Sequence, residues 1–295
     1  MRIGVFGNNS KDSVAQAVNT LLSIGKNYPL QFFLHNDLKE SLKDNYPETS
    51  AQQQYCSSDA LVETSDIIIT FGGDGTILSA ARLVGSSHVP ILGVNLGKLG
   101  FMAEVSLDEL ELFVNDIVQG KFVTEERMLL KTTVEKNETE FYALNDIVID
   151  NGSSSRLINV SVYVDNDYLV SFSGDGIILA TPTGSTAYSL AAGGPIVGPA
   201  TGVIVIQPIS PHSLSARTVI VPDSSNIRIV VEHHSNEARV TADGQLVKTF
   251  APPMNINISK ADHTIRLIKR KDRSYYDVLR AKLFWGSDIR SVKGK

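Results

Sequence analysis

The chain has 295 residues, of which 42% are hydrophobic and 20% are charged, and its formal net charge is −5. This length allows one large or two smaller domains, and an acidic balance without a long basic run argues against nucleic acid as a partner. No apolar run approaches the length of a membrane span, so no membrane contact is expected. Cys56 is the single cysteine, which excludes an internal disulfide, and the sequence after Met1 lacks a signal-peptide pattern. We therefore predict a cytoplasmic location.

The amino-terminal third of the chain alternates between strand and helix patterns. Strands are predicted at Arg2–Phe6, Leu30–Leu34, Ile67–Phe71 and Val89–Val94, and helices at Asp12–Ile24, Asp37–Lys43 and Thr76–Val84. The polar stretch at residues 43–58 is predicted to be a loop. Ile67–Phe71 is continuously apolar, as expected for a parallel strand that is buried on both faces. This alternation predicts an open α/β sheet, which we assign to residues 1–103.

The pattern changes near Phe101. A further helix is predicted at Leu107–Val118, and after it short apolar segments follow one another with Gly, Asn, Asp and Pro between them. The candidate strands are Leu129–Val134, Phe141–Ile149, Asn159–Val164, Gly176–Ala180, Val203–Ile206, Ile227–Val231, Ala238–Ala242 and Thr264–Ile268. We therefore predict an all-β domain at residues 104–269. Residues 270–295 contain a helical pattern at Ser274–Phe284, and we expect this helix to pack back on the first domain.

Gly72–Thr76 has the sequence Gly-Gly-Asp-Gly-Thr and follows a predicted strand directly. Glycines in such a turn let backbone N–H groups approach phosphate oxygens, and Asp74 can face a hydroxyl, a phosphate or a metal. The alternative is an ordinary tight turn in which Asp74 caps the next helix. Open α/β sheets bind ligands at the carboxyl ends of their strands, so this position favours a phosphate site. Neither a Rossmann G-x-G-x-x-G pattern nor a complete Walker A loop is present.

Two further segments combine polar residues with predicted strands. Asn95–Phe101, NLGKLGF, is either a second ligand loop beside Gly72–Thr76 or a glycine-rich connector between domains. In the segment LNDIVID, Asn145 and Asp146 interrupt an apolar strand. Polar groups in such a strand need partners, and an amide and a carboxylate can bind an adenine edge and ribose hydroxyls. The alternative is a bulge or strand edge with both side chains in water.

The longest segment is Gly174–Val197, which holds a second Gly-Asp-Gly centred on Asp175 and a dense row of hydroxyls. A hydroxyl-rich loop interrupted by glycine suits hydrogen bonding to a polar ligand. The alternative is a solvated turn, although such turns rarely carry a tyrosine, a leucine and alanines among the hydroxyls. Tyr188 either stacks on a base or belongs to the core.

These segments, in this order, resemble the NAD kinase family of the bacterial ATP-NAD kinase type. The resemblance rests on GGDGT, on Asn-x-Gly-x-Leu-Gly-Phe, on the Asn-Asp pair and on TPTGSTAYSL followed by AGGP, and PHSLSAR at Pro211–Arg217 is similar as well. It extends from Met1 to the C-terminal helix. It implies a Rossmann-like α/β N-terminal domain and a β-rich NAD-binding domain. It also implies transfer of the ATP γ-phosphoryl group to the adenosine ribose of NAD, a divalent cation that is usually Mg²⁺, and a homodimer or homotetramer.

The same resemblance implies roles for individual residues. Asp74 matches the general base for the 2′-hydroxyl, and the phosphate loop matches Gly72, Gly73, Gly75 and Thr76. Substrate-binding positions of the family fall on Asp74, Gly75, Asn145, Asp146, Arg156, Asp175, Thr186, Ala187, Tyr188, Ser189, Leu190, Ala191 and Gln245. Arg156 stands where some members place a basic side chain that reaches a neighbouring subunit.

Two other functions remain compatible with parts of this pattern. A lipid or sugar kinase can carry the same GGDGT loop and would not depend on the region around Asn145 and Thr186. A non-catalytic dinucleotide sensor would bind NAD without transferring phosphate, and the presence of Asp74 argues against it.

Overall fold

The computed structural model describes residues 1–8, 12–97, 100–103, 105–135, 139–152, 156–232 and 237–285. These residues form two compact units. The first unit joins Met1–Glu126 to the segment that begins at Ile265, and the second is the continuous stretch Arg127–Thr264. Two long strands, Val123–Val134 and Met254–Lys269, therefore carry the chain from one unit to the other.

A parallel sheet forms the centre of the first unit. Its strands are β1 (Arg2–Gly7), β2 (Gln31–His35), β3 (Gln54–Cys56), β4 (Ile67–Phe71), β5 (Ile91–Asn95) and β6 (Val105–Ser106). They pair in the order β3-β2-β1-β4-β5, β6 lies beside β5, and Leu267 pairs in parallel with Ile91. This is the strand order of a Rossmann-like sheet, which confirms the predicted fold of the first domain.

Helices cover this sheet and bury their apolar faces against it. They are α1 (Asp12–Gly25), α2 (Leu38–Asn45), α3 (Pro47–Ala51), α4 (Ser58–Thr64), α5 (Asp74–Val84) and α6 (Leu110–Val118), with short 3₁₀ helices at Gly85–Ser87 and Leu107–Glu109. Val14, Val18 and Leu21 of α1 are fully buried in the same core as Ile69 and Phe71 of β4. Every residue of β4 is buried, as its continuous apolar run predicted.

The loop predicted at residues 43–58 is wrong, because this stretch contains the helix α3 and the strand β3. The strand lies at the edge of the sheet and pairs only with β2 among the described strands, so little apolar surface is needed to hold it. Its Tyr55 hydroxyl is 2.7 Å from Ser50 Oγ on α3, and the ring packs against the core. Such polar anchoring leaves no apolar periodicity in the sequence.

The compact units differ from the predicted domains in where they begin and end. The predicted boundaries follow residues 103 and 269, whereas the units change after Glu126 and Thr264. The physical reason is α6, whose Leu110, Phe113 and Ile117 belong to the core of the first unit.

The C-terminal helix, Tyr275–Leu283, also belongs to the first unit, as predicted. It starts with a capping box in which the Ser274 and Asp277 side chains satisfy each other's backbone N–H groups. The Lys282 ammonium lies 5.4 Å from the centroid of the Phe101 ring.

The second unit contains only one short α-helix, α7 (Tyr188–Ala191), among its described residues, with a 3₁₀ turn at Gly184–Thr186 before it. Its strands are β7 (Val123–Val134), β8 (Thr139–Ala143), β9 (Asp146–Asp150), β10 (Ile158–Val164), β11 (Asp167–Gly174), β12 (Gly176–Ala180), β13 (Val203–Ile209), β14 (Val219–Pro222), β15 (Ile227–Val231), β16 (Ala238–Ala242), β17 (Leu246–Phe250) and β18 (Met254–Lys269). The β-rich second domain is thereby confirmed.

One antiparallel sheet of this unit has the order β14-β13-β12-β9-β16-β17. The remaining strands pair in the order β11-β10-β15-β18, and β7 pairs with β8 and β18. Both sets contribute to one core, which contains Ile149 and Leu179 of the first set and Val160 and Ile229 of the second. β12 is buried at all five positions, so the chain on either side of it is held firmly in place.

Two expectations for this unit are wrong. Phe141–Ile149 is not one strand, because β8 ends at Ala143 and β9 begins at Asp146. In addition, β11, β14 and β17 lie within segments that were not predicted as strands. All three are terminal in the strand orders given above, so much of their surface faces solvent and an apolar pattern is not required.

Candidate active site

The Asp74 carboxylate is held by a loop that follows β5. Gly73 is the N-cap of α5, and Asp74 is the first residue of that helix. Asp74 Oδ2 accepts the backbone N–H of Phe101 at 2.8 Å, while Oδ1 accepts those of Met102 at 3.0 Å and Ala103 at 3.3 Å. The carboxylate therefore ties the turn after β4 to the loop after β5, rather than acting as the helix cap.

Gly100 is required by this close approach. A Cβ atom at Gly100 would lie 2.1 Å from Asp74 Oδ1, so a side chain there would displace the carboxylate. The predicted proximity of Asn95–Phe101 to Gly72–Thr76 is thus confirmed, although Lys98 and Leu99 lie outside the described residues. The positive end of the α5 dipole adjoins Gly72–Thr76, which favours an anion at that position.

In the second unit, the Asn145–Asp146 pair sits where β8 gives way to β9. A second aspartate, Asp243, accepts the backbone N–H groups there: Oδ2 takes that of Leu144 at 3.0 Å, and Oδ1 takes those of Asn145 at 2.7 Å and Asp146 at 3.2 Å. This is why the strand predicted over Phe141–Ile149 is interrupted. The N–H groups of residues 144–146 donate to the Asp243 carboxylate instead of to a neighbouring strand.

The Asp146 side chain is only 4% exposed, which excludes the alternative in which both polar side chains lie in water. Burial, together with the negative charge of Asp243, raises the pKa of Asp146 to about 7, against the partial opposing effect of the Tyr188 backbone N–H. A carboxyl group with this pKa changes its charge in the physiological range. Strongly shifted groups of this kind cluster at functional sites.

The hydroxyl-rich loop is anchored to the same segment. Thr181 Oγ1 donates to the Leu144 carbonyl at 2.6 Å, and the Asn145 carbonyl accepts the Thr181 N–H at 2.9 Å. Ser185 Oγ donates to the Pro182 carbonyl at 2.7 Å. Thr181 and Ser185 are fully buried, and their hydroxyls hold the loop's own backbone.

Gly184 brings this loop into direct contact with Asn145. A Cβ atom at Gly184 would lie 1.9 Å from the Asn145 carbonyl oxygen, and both groups belong to backbone that is buried or nearly so. The second unit therefore has a rigid junction in which Asp243 fixes the N–H groups of residues 144–146 and Thr181 fixes the carbonyls of Leu144 and Asn145.

Replacing Gly184 with Ala is expected to lower the free energy of unfolding by about 2–3 kcal/mol, because the added methyl group meets backbone that cannot move freely. The matched control is Gly198→Ala, where the nearest atom to the new Cβ is Thr201 Oγ1 at an ordinary 3.5 Å. Urea denaturation of both variants measures the difference. Equal losses in the two variants would contradict a close approach at Gly184.

A cavity of about 380 Å³ opens beside the junction. Among the predicted site residues it is lined by Asn145, Asp146, Ala187 and Tyr188. Tyr188 is 46% exposed, so it is not a core residue. Arg239 stands on the cavity wall and donates to both oxygens of Asp150, at 3.0 and 2.9 Å.

The other predicted substrate-binding residues of the second unit are not among the residues that line this cavity. The Thr186 hydroxyl donates to the Thr183 carbonyl, and Ser189 is fully buried. Asp175 lies between β11 and β12, and Leu190 and Ala191 belong to α7. Gln245 closes the turn after Asp243, and Arg156 is exposed after the segment at residues 153–155, which lies outside the described residues.

Asp243 is the residue of this region that sequence reasoning missed. Asp243 and Gly244 have φ values of 54° and 65°, as in a two-residue hairpin turn between β16 and β17. An Asp-Gly pair between two alternating segments is a hairpin signal, so the turn itself was visible in the sequence. Its second role, as acceptor for a distant backbone, has no local signature.

Comparisons with known proteins match both parts of the chain to one family. Residues 3–122 match the ATP-NAD kinase N-terminal domain and residues 144–270 the ATP-NAD kinase C-terminal domain. The NAD kinase of Syntrophotalea carbinolica is 39% identical over 288 residues, covering 97% of this chain and 99% of that protein. The NAD kinase of Pseudomonas fluorescens strain Pf0-1 is 39% identical over 291 residues, covering 97% and 96%.

Two solved structures are also similar. Yeast NADH kinase complexed with NADH superposes with a TM-score of 0.89 at 26% identity, over 98% of this chain and 89% of that one. An NAD kinase from Archaeoglobus fulgidus in complex with ATP gives a TM-score of 0.74 at 25% identity, over 95% and 99%. The family models match both domains, the relatives match nearly the full length, and the solved structures share the fold. The chain therefore belongs to the ATP-NAD kinase family.

Proposed function

We propose that this protein transfers the γ-phosphoryl group of ATP to the 2′-hydroxyl of the adenosine ribose of NAD, giving NADP. The observation that carries the proposal is the Asp74 carboxylate, fixed by three backbone N–H groups at the end of a buried parallel strand in a chain of this family. Membership in the family supports both the ATP donor and the dinucleotide acceptor.

Asp74 is proposed as the proton acceptor. A secondary ribose hydroxyl is a poor nucleophile at neutral pH, and a carboxylate that takes its proton as the P–O bond forms lowers the barrier. A carboxylate offers about four acceptor positions, of which three are used here, two of them on Oδ1. Oδ2 therefore keeps room for one further hydrogen bond, in a fixed orientation. Alignment of this kind is the main contribution a protein makes to phosphoryl transfer.

The phosphates are proposed to bind at Gly72, Gly73, Gly75 and Thr76, where glycines admit close approach and the α5 dipole favours negative charge. Adenosine and ribose are proposed to bind Asn145 and Asp146. Further NAD contacts are proposed at Gly75, Arg156, Asp175, Thr186, Ala187, Tyr188, Ser189, Leu190, Ala191 and Gln245. For Ser189 this requires movement of α7, because its side chain is fully buried.

A divalent cation, Mg²⁺ above all, is proposed as the cofactor. The described residues contain no group of three or more His, Cys, Asp or Glu side chains that could hold a metal ion. Mg²⁺ keeps several waters and binds through substrate phosphates and one or two carboxylates, so the proposal does not require such a group. When bound, the cation would neutralise phosphate charge during transfer.

Self-association and location are further parts of the proposal. We propose a homodimer or homotetramer in which Arg156, an exposed cation, reaches a neighbouring copy. Within the described part of the chain, no helix has the length and apolarity needed to cross a membrane. We propose a cytoplasmic enzyme, with no membrane or nucleic-acid partner.

The function is tested by an activity matrix on the purified protein. ATP and polyphosphate serve as donors and NAD, NADH, a sugar and a lipid alcohol as acceptors, with and without Mg²⁺, and the formation of NADP, NADPH, phosphorylated sugar and phosphorylated lipid is measured. We expect NADP from NAD and ATP, and its loss when Mg²⁺ is chelated. Phosphorylation of the sugar or lipid alone would favour the alternative kinase, and NAD binding without NADP formation under every condition would favour the sensor.

A further inference from the structure

The hairpin turn at Asp243 and Gly244 does not require an aspartate. The turn requires a residue that tolerates a positive φ, which Asn and Gly do as well as Asp. The hairpin between β10 and β11 has the same geometry at Asp165 and Asn166, with φ values of 51° and 73°. There the Asp165 carboxylate accepts one backbone N–H, that of Asn226 at 2.8 Å. Turn formation therefore does not explain why the Asp243 carboxylate is directed at residues 144–146.

The three hydrogen bonds to Asp243 fall on the segment that carries the proposed adenosine-binding pair. Thr181 and Gly184 hold the carbonyl side of the same segment, so its backbone is fixed on both sides. The direction in which the Asn145 and Asp146 side chains leave the backbone is thereby set by Asp243 from a distant part of the sequence.

Asp243 also sets the charge around Asp146. The Asp146 carboxyl accepts the Tyr188 backbone N–H, and the same cavity presents the Tyr188 phenol and the Arg239–Asp150 ion pair. The guanidinium is already bound by both Asp150 oxygens, so its charge is largely compensated. Asp243 is the charged neighbour that raises the pKa of Asp146, second only to burial.

We propose that Asp243 is a positioning residue of the NAD kinase reaction: it aligns the backbone of Asn145 and Asp146, places a negative charge beside the Asp146 carboxyl, and through both sets the affinity for NAD. This inference rests on the proposed function. Asp243 acts through Asp146 and is not a catalytic residue. Ribose hydroxyls donate to a carboxylate, so the ionised form of Asp146 is the binding form. NAD affinity then rises as the pH passes upward through the Asp146 transition.

The test compares the wild type with Asp243→Asn, measuring kcat and KM for NAD from roughly pH 5 to roughly pH 9, a range that brackets a transition near neutrality. Asn keeps the size and the positive φ but removes the charge and one of the two acceptor oxygens. We expect KM for NAD to rise roughly tenfold at alkaline pH, with kcat changing by less than about threefold. The midpoint of the KM profile should move to lower pH, because Asp146 loses its negative neighbour. A purely structural role would raise KM without moving the midpoint.

The matched control is Asp165→Asn, the same substitution in the same kind of turn. It should leave KM, kcat and the pH midpoint unchanged. Asp146→Asn should abolish the pH transition in NAD affinity, which identifies the titrating group. If Asp243→Asn proves too unstable for kinetics, Asp243→Gly keeps the turn and removes charge and acceptors together. It should show the same midpoint shift with a larger KM.

Failure of this inference is distinguishable from failure of the proposed function. A wild type that makes no NADP from NAD and ATP would overturn the function. A wild type that makes NADP, with Asp243→Asn showing an unshifted midpoint or an unchanged KM, would overturn the role of Asp243 alone.

Discussion

Replacing Asp74 with Asn is expected to lower kcat by roughly 10²–10⁴-fold, the usual contribution of a positioned general base. The carboxamide cannot take a proton from the ribose hydroxyl. Its carbonyl oxygen can still accept the N–H groups of Met102 and Ala103, while its amino group faces the N–H of Phe101. The Phe101 N–H thus loses its acceptor and Tm should fall by a few degrees, whereas the two remaining hydrogen bonds keep the loop in place and NAD binding should survive. The measurements are kcat from initial rates and NAD affinity by calorimetry.

The control for this variant is Asp44→Asn, an exposed residue near the end of α2. It should leave kcat and Tm unchanged. A kcat of Asp74→Asn close to that of the wild type would overturn Asp74 as proton acceptor. A large fall in Tm together with lost NAD binding would instead assign the carboxylate to holding the loop at residues 101–103.

Replacing Asp146 with Asn is expected to stabilise the protein above neutral pH. Burial and Asp243 raise the pKa of Asp146 from 3.8 to about 7, so between these pH values the folded state holds a proton that the unfolded state has released. The free energy of unfolding of the wild type must then fall as pH rises through this window and stay reduced above it. The full difference corresponds to roughly 4 kcal/mol, an upper limit.

The Asp146→Asn variant has no ionisable carboxyl at this position, and its carboxamide oxygen can still accept the Tyr188 N–H, so it should lack this fall. Denaturant unfolding at about pH 5 and about pH 8 measures the pH dependence for both proteins. Asp167→Asn, at an exposed position, is the control and should follow the wild type. The same pH dependence in wild type and Asp146→Asn would show that another group is responsible. The stabilised variant should bind NAD more weakly, because it lacks the buried Asp146 carboxylate, which destabilises the fold but is proposed to bind the ribose.

Predictability of the fold followed burial. The fully buried β4 was predicted to the residue at both ends, and β15 and β16 were as well. The strands that escaped prediction altogether, β3, β6, β11, β14 and β17, each pair with one neighbour among the described strands. Four consecutive residues of β17 are exposed. An edge strand is held by backbone hydrogen bonds to one neighbour, so its side chains carry little of the periodicity on which sequence reasoning depends.

For the site, the features that could be predicted were likewise the local ones. Segments whose chemistry is local, such as the turn around Asp74 and the Asn145–Asp146 pair, were visible because glycines or polar residues interrupt apolar strands. What the sequence did not show is which groups satisfy one another. The hydroxyl-rich segment was predicted to suit a polar ligand, and the structure shows that the Thr181 and Ser185 hydroxyls bond to nearby backbone carbonyls. Asp243 was not among the residues that the sequence indicated. Such pairings depend on contacts between residues far apart in the chain, for which a single sequence carries no signal.

The division of the first unit between two chain segments has a consequence for the order in which the protein can be assembled. Ile91 of β5 pairs with Leu267, which is synthesised only after the whole second unit. During synthesis, β5 of the Rossmann-like sheet lacks its partner strand until Leu267 has been made. The second unit is continuous, so its sequence is complete once Thr264 has been made. The hydrogen bonds that hold Asp74 can thus form early, because residues 101–103 are made soon after it. The sheet that carries Asp74 gains its partner strand beside β5 only after the second unit has been made.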